Sequence, residues 1–316
     1  MTPHREPGVH VHGKTRVEHR TIESEYLERE VKVDFYLPPT VGRENMQKTL
    51  DRLPSLDHPD SSPDRPKLLD HPAAGGEQPM LLDHPGAISL LLINDGQDLP
   101  KMPFRKILDS LWQEGAVRPL LCVGIHCGKD RKMEYGTVGI PDYMGRGAKA
   151  EAYTKFVFRE LLPFIREATG AHHFHDKSFA GFSLGGLSAL DIVWNHPHEF
   201  RHVGVFSGSL WWRTRDLDDD YVEDRDRIMH QQIRQGQYAP WLRFFFQTGV
   251  LDEMADRNNN GIIDSIDDTL SLMEELEAKG YQSGRDMTYV EYEDGRHDVP
   301  TWGRAMPLFL KWAFGR

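Results

Sequence analysis

Between Ala87 and Asn94 the chain reads AISLLLIN, an almost unbroken apolar run. A strand exposed on one side alternates polar and apolar residues, so a run without alternation predicts a strand buried on both faces. Such a strand needs cover above and below. Phe104 to Glu114 has helical spacing, Leu120 to Ile125 is a second buried run, and Glu151 to Ala168 predicts a long amphipathic helix disturbed at Pro163. Lys177 to Gly181, His202 to Ser207, Arg243 to Thr248 and Met287 to Tyr292 predict further strands. Helices are expected at Leu184 to Asn195, around Leu270, Met273 and Leu276, and at Trp302 to Phe314. This alternation implies one α/β domain over residues 1–316, with a mostly parallel central sheet and helices on both faces. Before it, Val17 to Leu37 alternates and stops at Pro38 and Pro39, which predicts antiparallel strands.

One segment breaks the pattern. LDHP begins at Leu56, Leu69 and Leu82, a strict period within a region at about 43–85 that is rich in Pro, Asp, Ser and Gly. The units carry no apolar stripe with which a solenoid could stack. Prolines beside acidic residues suit a solvated loop better than a metal site at His58, His71 and His84, so a duplicated surface insertion is expected. The formal net charge of −11 argues against nucleic acid or an anionic membrane as partner. The longest apolar run, AISLLLI, is too short to span a bilayer, and the N-terminus MTPHREPGVHVHGKTRVEHR has no apolar h-region. A cytoplasmic protein is expected. Cys122 lies in an apolar run and is expected as a core thiol rather than as half of a disulfide with Cys127.

The chemistry concentrates in FAGFSLGGLSAL, residues 179 to 190, where Ser183 sits between Gly181 and Gly185. Gly-x-Ser-x-Gly between a predicted strand and a predicted helix is the nucleophile elbow of an α/β-hydrolase, in which the glycines permit a sharp turn. A serine needs a base, and the base needs an orienting acid. In this fold the order is serine, acid, histidine. His196 and His198 flank Pro197 too early in that order, and His230 follows no predicted strand. His297, in EDGRHDVPTW, follows a strand and precedes the last helix, so it is the expected base. The strand RFFFQTG runs into VLDEMAD, making Asp252 the expected acid and Glu253 the near alternative. Asp298, adjacent to the histidine, suits a local structural role. The oxyanion would be held by the Leu184 amide and by a second amide from LLLINDGQD, expected at Gln97.

These residues resemble the enterochelin esterase-like branch of the Putative esterase family, over roughly residue 86 to the C-terminus. LLLINDGQD resembles that family's strand and oxyanion turn. DRKMEYG carries its Arg131 and Glu134 spacing, and GRGAKAEAYTKFVFRELLPFI its long helix. GFSLGGLSAL is the elbow; SGSLWW and RHDVPTW are the more specific signatures. The resemblance implies a serine-dependent carboxylic ester hydrolase that needs no organic cofactor. Its substrate would be a small-molecule ester: the backbone of a catecholate siderophore or, as in cousins, a feruloyl or acetyl ester of a carbohydrate. Trp211 and Trp212 would suit an aromatic acyl group by stacking, and Arg131, Arg213 and Arg215 could attract an anionic substrate. The larger siderophore esterases carry an additional N-terminal domain that this chain is expected to lack, and the LDHP repeats are foreign to the family.

DRNNNGIIDSID, residues 256 to 267, matches a twelve-residue calcium loop. Asp256, Asn258 and Asn260 take positions 1, 3 and 5, Gly261 the turn, and Ile262 a carbonyl ligand. Asp264 falls at position 9 and Asp267 at position 12. Aspartate instead of glutamate at the last position shortens its reach. The alternative is a helix-entry loop capped by Asp267 or Asp268. A structural calcium ion is therefore expected, and with it a competing reading in which the fold binds a ligand without turnover.

Overall fold

The computed structural model describes residues 13–39, 88–171 and 173–316. The LDHP repeats lie outside the described residues. All eight described strands join one sheet, in the order β1-β2-β4-β3-β5-β6-β7-β8. β1 (Arg16–Ser24) and β2 (Arg29–Leu37) form the expected antiparallel pair. β2 lies antiparallel to β4 (Leu120–Ile125), beside which β3 (Ser89–Asn94) runs parallel. β5 (Lys177–Phe182), β6 (His202–Phe206), β7 (Arg243–Leu251) and β8 (Met287–Arg296) continue in parallel.

The unbroken apolar runs have the cause inferred for them. In β3, Leu90 and Leu92 point into one core while Leu91 and Ile93 point into the other; in β7, Phe244 and Phe246 oppose Phe245. The second core is closed by α1 (Phe104–Gln113) and by α7 (Val299–Phe314), through Leu108, Leu111, Phe309 and Leu310. Cys122 is wholly buried there as a free thiol. The first core is closed by the helices between: α2 (Ala150–Phe156), α3 (Leu162–Thr169), α4 (Leu184–Asn195), α5 (Ile228–Gln235) and α6 (Asp264–Lys279).

The disturbance expected at Pro163 lies one turn earlier. Val157–Leu161 forms a π turn joining α2 to α3. Proline has no N–H and its ring crowds the preceding turn, so a widened turn removes the clash without breaking the helix. Among the described residues, no helix is long and apolar enough to cross a membrane.

Candidate active site

Because the six strands β3 to β8 are parallel, the segments leaving β3, β5, β6, β7 and β8 all emerge at one edge of the sheet. The expected residues sit there. Ser183 holds φ 54° and ψ −124°, a conformation that costs an L-residue about 1–3 kcal/mol and persists only where the surroundings enforce it. The surroundings are close-packed backbone on one side and buried side chains on the other. A Cβ on Gly181 would lie 2.2 Å from the Gly185 carbonyl oxygen, and one on Gly185 would lie 2.5 Å from an Asp95 carboxylate oxygen. The Ser183 N–H donates to the Phe206 carbonyl at 2.9 Å, pinning the turn to β6. Directly after Ser183, α4 presents its first N–H groups, which a helix leaves without internal partners.

The turn after β3 is fastened on several sides. Asn94 donates from Nδ2 to the Gly185 carbonyl at 2.8 Å, and the Tyr153 hydroxyl donates to its Oδ1. Asp95 accepts two 2.7 Å bonds from Arg131, which also donates to the Phe182 carbonyl at 3.3 Å. The Gln97 side chain accepts from the Cys127 N–H at 3.1 Å. Among the described residues, no turn or cap bond takes the N–H of either Gln97 or Leu184. The Arg131–Glu134 spacing acquires a reason here. One face of that single turn sends Arg131 to Asp95, and the other buries Glu134 against Arg29, with bonds of 2.7 and 2.6 Å. Arg131 is thus committed to carboxylate and carbonyl partners of its own chain rather than standing free for a substrate.

His297 lies between β8 and α7. Asp298 caps α7, accepting from the Thr301 N–H at 3.0 Å, while Thr301 Oγ1 accepts from Arg296 N at 3.0 Å; these bonds bracket the histidine. Asp298 therefore has the local role expected of it. The His297 ring stands edge-on to Trp302 with centroids 5.4 Å apart. Trp302 also stacks on Phe182 at 5.0 Å and donates from Nε1 to Ser207 Oγ at 3.0 Å. His297 keeps an exposed edge, yet the protein packed around it lowers its pKa, and Asp252 pulls the other way. Burial raises the pKa of Asp252, whose two oxygens are shielded from water, while the Gly249 backbone, Ser207 and His297 pull it the other way. Glu253, also raised by burial, faces Ser265, Asp264 and Asp268 instead. Of the two carboxylates, Asp252 is the one whose charge acts on His297.

The expectation for the tryptophans changes. Trp212 is wholly buried, packed under Gly136 and Gly147, so it supports that loop and has no face for a substrate; only Trp211 is partly open. The Arg146 guanidinium lies over both tryptophans, at 5.1 and 5.3 Å from the ring centroids. The informative member of SGSLWW at the elbow is Ser209, whose Oγ lies 3.4 Å from Ser183 Oγ. Its signal was its place directly after a strand neighbouring β5, the same logic that selects the acid.

The calcium-type loop closes on itself. Asp256 accepts from the N–H groups of Asn260 and Gly261, at 3.1 and 2.9 Å. Asn258 and Asn260 both donate to Asp267, at 3.0 and 3.2 Å. Asp264 turns away to the buried Arg257, accepting from its N–H at 2.9 Å. The Ile262 N–H donates to Asn260 Oδ1. Two carboxylates and two amides thus converge, and among the described residues no three His, Cys, Asp or Glu side chains do.

Comparison with known proteins gives the family and the fold. A model of the family described as Putative esterase matches residues 83–312. The iron(III) enterobactin esterase of Escherichia coli K12 is 30% identical over 108 residues, which cover 34% of this chain and 26% of that protein. The enterobactin esterase of Shigella flexneri, crystallised with enterobactin, superposes with a TM-score of 0.59 at 19% identity, covering 94% of this chain and 59% of that one. A ferulic acid esterase superposes with a TM-score of 0.58 at 14% identity, covering 95% of this chain and 98% of that one. The chain spans less than two thirds of the length of the enterobactin esterases it matches. The fold is that of the α/β-hydrolases.

Proposed function

The chain belongs to the Putative esterase family, and on that premise we propose that it is a serine-dependent carboxylic ester hydrolase working at Ser183. The observation that carries this reading is the backbone of Ser183, at φ 54° and ψ −124° between two glycines that leave no room for a Cβ. A packing serine has no use for such strain; a nucleophile held out from the sheet does. In the proposed reaction Ser183 Oγ attacks the ester carbonyl carbon and His297 takes its proton. The Leu184 and Gln97 amides hold the negative oxygen of the tetrahedral intermediate. His297 returns the proton to the leaving alcohol, and a water repeats the sequence on the acyl-enzyme to release the acid. Asp252 orients the imidazole and stabilises its charged form, in keeping with its charge acting on His297.

The substrate follows as part of the proposal. The ester backbone of a catecholate siderophore is favoured by the enterobactin esterase relatives, and its aromatic groups by partly open Trp211 beside Arg146. A feruloyl ester is the second reading, favoured by size, because the ferulic acid esterase superposes over nearly its whole length. The loop at 256–267 is proposed to take a structural calcium ion through Asp256, Asn258, Asn260, Asp267 and the Ile262 carbonyl. A small-molecule partner, no nucleic acid and a cytoplasmic site complete the reading.

The test is labelling with a fluorophosphonate alongside hydrolysis of p-nitrophenyl acetate. Label is expected on Ser183, and Ser183→Ala is expected to lose roughly 10⁴-fold or more in kcat while folding normally. Label on Ser207 or Ser209 would move the site, and a folded protein inert to every ester would leave a binding protein. A trilactone catecholate assayed against a feruloyl sugar ester separates the two substrate readings.

A further inference from the structure

A cavity of about 560 Å³ opens beside the π turn, and its lining shares no residue with the Ser183 site. His196, on its wall, follows the last residue of α4, whose 12 residues start at the elbow. That end of the helix is therefore about 20 Å from Ser183. The volume lies within the range of about 300–1,000 Å³ usual for small-molecule sites.

The chemistry of the wall is specific. Phe158 and Leu162 supply apolar surface, and the Phe158 ring packs 4.4 Å from the His196 imidazole. Burial lowers the His196 pKa, so the ring is neutral near pH 7. Of the charged groups, Lys155 is paired with Glu151 at 2.7 Å and Glu199 with Lys177 at 2.5 Å. Arg159 and Arg166 enter no ion pair among the described residues, which leaves the cavity positive in a protein of net charge −11. Among the described residues, two buried polar atoms also lack partners. They are Arg166 Nε and Thr154 Oγ1, the latter on a residue only 8% exposed. Both can donate, and a buried donor without an acceptor costs free energy that a bound anion would recover. The widened turn brings Phe158 and Arg159 to the same wall, so ring contact and charge face one space.

We infer that this cavity is a second ligand site, which binds a small aromatic carboxylate with its ring against Phe158 and its carboxylate on Arg159, Arg166 and Thr154. The inference is independent of the reaction proposed at Ser183. It is tested by calorimetric titration of the full chain with sodium benzoate after fluorophosphonate has blocked Ser183. Saturable binding is expected, with benzamide, which has the same ring but no charge, at least about tenfold weaker. Arg159→Gln with Arg166→Gln should weaken benzoate by a similar factor. Should that double variant not fold, Thr154→Val removes one donor at constant shape and should weaken benzoate without lowering the melting temperature. Absence of saturable binding up to about 10 mM overturns the inference. So does equal affinity for benzamide, or benzoate binding unchanged in the folded variants.

Discussion

Gly181→Ala tests whether the elbow is held by backbone contact. The added Cβ would stand 2.2 Å from the Gly185 oxygen, 2.4 Å from its carbon and 2.8 Å from the Gly186 nitrogen. All three atoms belong to the first turn of α4, so no flexible side chain can give way. Restoring ordinary contact requires a displacement of about 1 Å between β5 and α4, and overpacking of this kind costs roughly 1–3 kcal/mol. At about 2–4 °C per kcal/mol for a domain somewhat smaller than this one, the melting temperature should fall by roughly 2–10 °C. The displaced atoms flank Ser183 and carry the Leu184 amide, and a misplacement of about 1 Å can cost roughly a hundredfold in rate. Differential scanning fluorimetry and the rate of fluorophosphonate labelling read both effects. Gly284→Ala is the control: φ there is 80° and nothing lies within 4 Å of the added carbon, so it should lose some stability and no labelling rate. A Gly181→Ala protein that labels and melts like the wild type would refute the reasoning.

The remaining predictions concern protons and metal. His297 must be neutral to act as base, and its pKa is held below the ordinary value. Activity should therefore be lost only as pH falls through a midpoint below about 6.5, and an acid limb of kcat/KM at or above that value contradicts it. Arg131 is one of the charges that lower the imidazole, so Arg131→Met should move the limb to higher pH; no movement, or the opposite, shows that the charge is not felt. Asp252→Asn removes the carboxylate that, ahead of Asp298, raises the imidazole, so it should shift the limb lower and cost about 10⁴-fold in kcat; Glu253→Gln should do neither. Calcium at a hundredfold excess over Kd stabilises by about 2.7 kcal/mol, so EDTA should lower the melting temperature and calcium, more than magnesium, restore it. Identical scans with and without chelator, and no metal on copurification, leave 256–267 a helix entry.

The strands and helices were legible because each is announced by local periodicity, and burial on both faces leaves no alternation to misread. The placement of Ser183, His297 and Asp298 was legible for a related reason: topology fixes where a segment after a given strand must emerge. Side-chain commitments were not. Arg131 reads as a free cation until Asp95, 36 positions away, accepts both of its bonds. Trp212 reads as an aromatic platform until Gly136 and Gly147 close over it. Asp264 fits a calcium position by spacing, and only the buried Arg257, which also holds Asp268, turns it elsewhere. The first two depend on which distant segment comes near, and the third on a neighbour in the same loop that Asp268 draws inward.

The same distinction bears on how a turn as plain as NDGQ could serve as half of an oxyanion hole. A donor aimed at a developing charge helps most when it need not move, because reorganisation during the reaction cancels the gain. Four consecutive residues secure this turn by four unrelated contacts. Asn94 bonds the Gly185 carbonyl, and Asp95 is gripped by Arg131. Gly96 lies so close to β4 that a Cβ would meet the Gly124 carbon at 2.4 Å, and the Gln97 side chain holds the Cys127 amide. Two of these contacts tie the turn directly to the elbow: Asn94 reaches Gly185, and Arg131 bridges Asp95 to the Phe182 carbonyl. The two amides proposed for the oxyanion therefore belong to segments locked to each other. A change at Arg131 or Asn94 should act on both at once, as a loss of rate larger than either contact alone would cost.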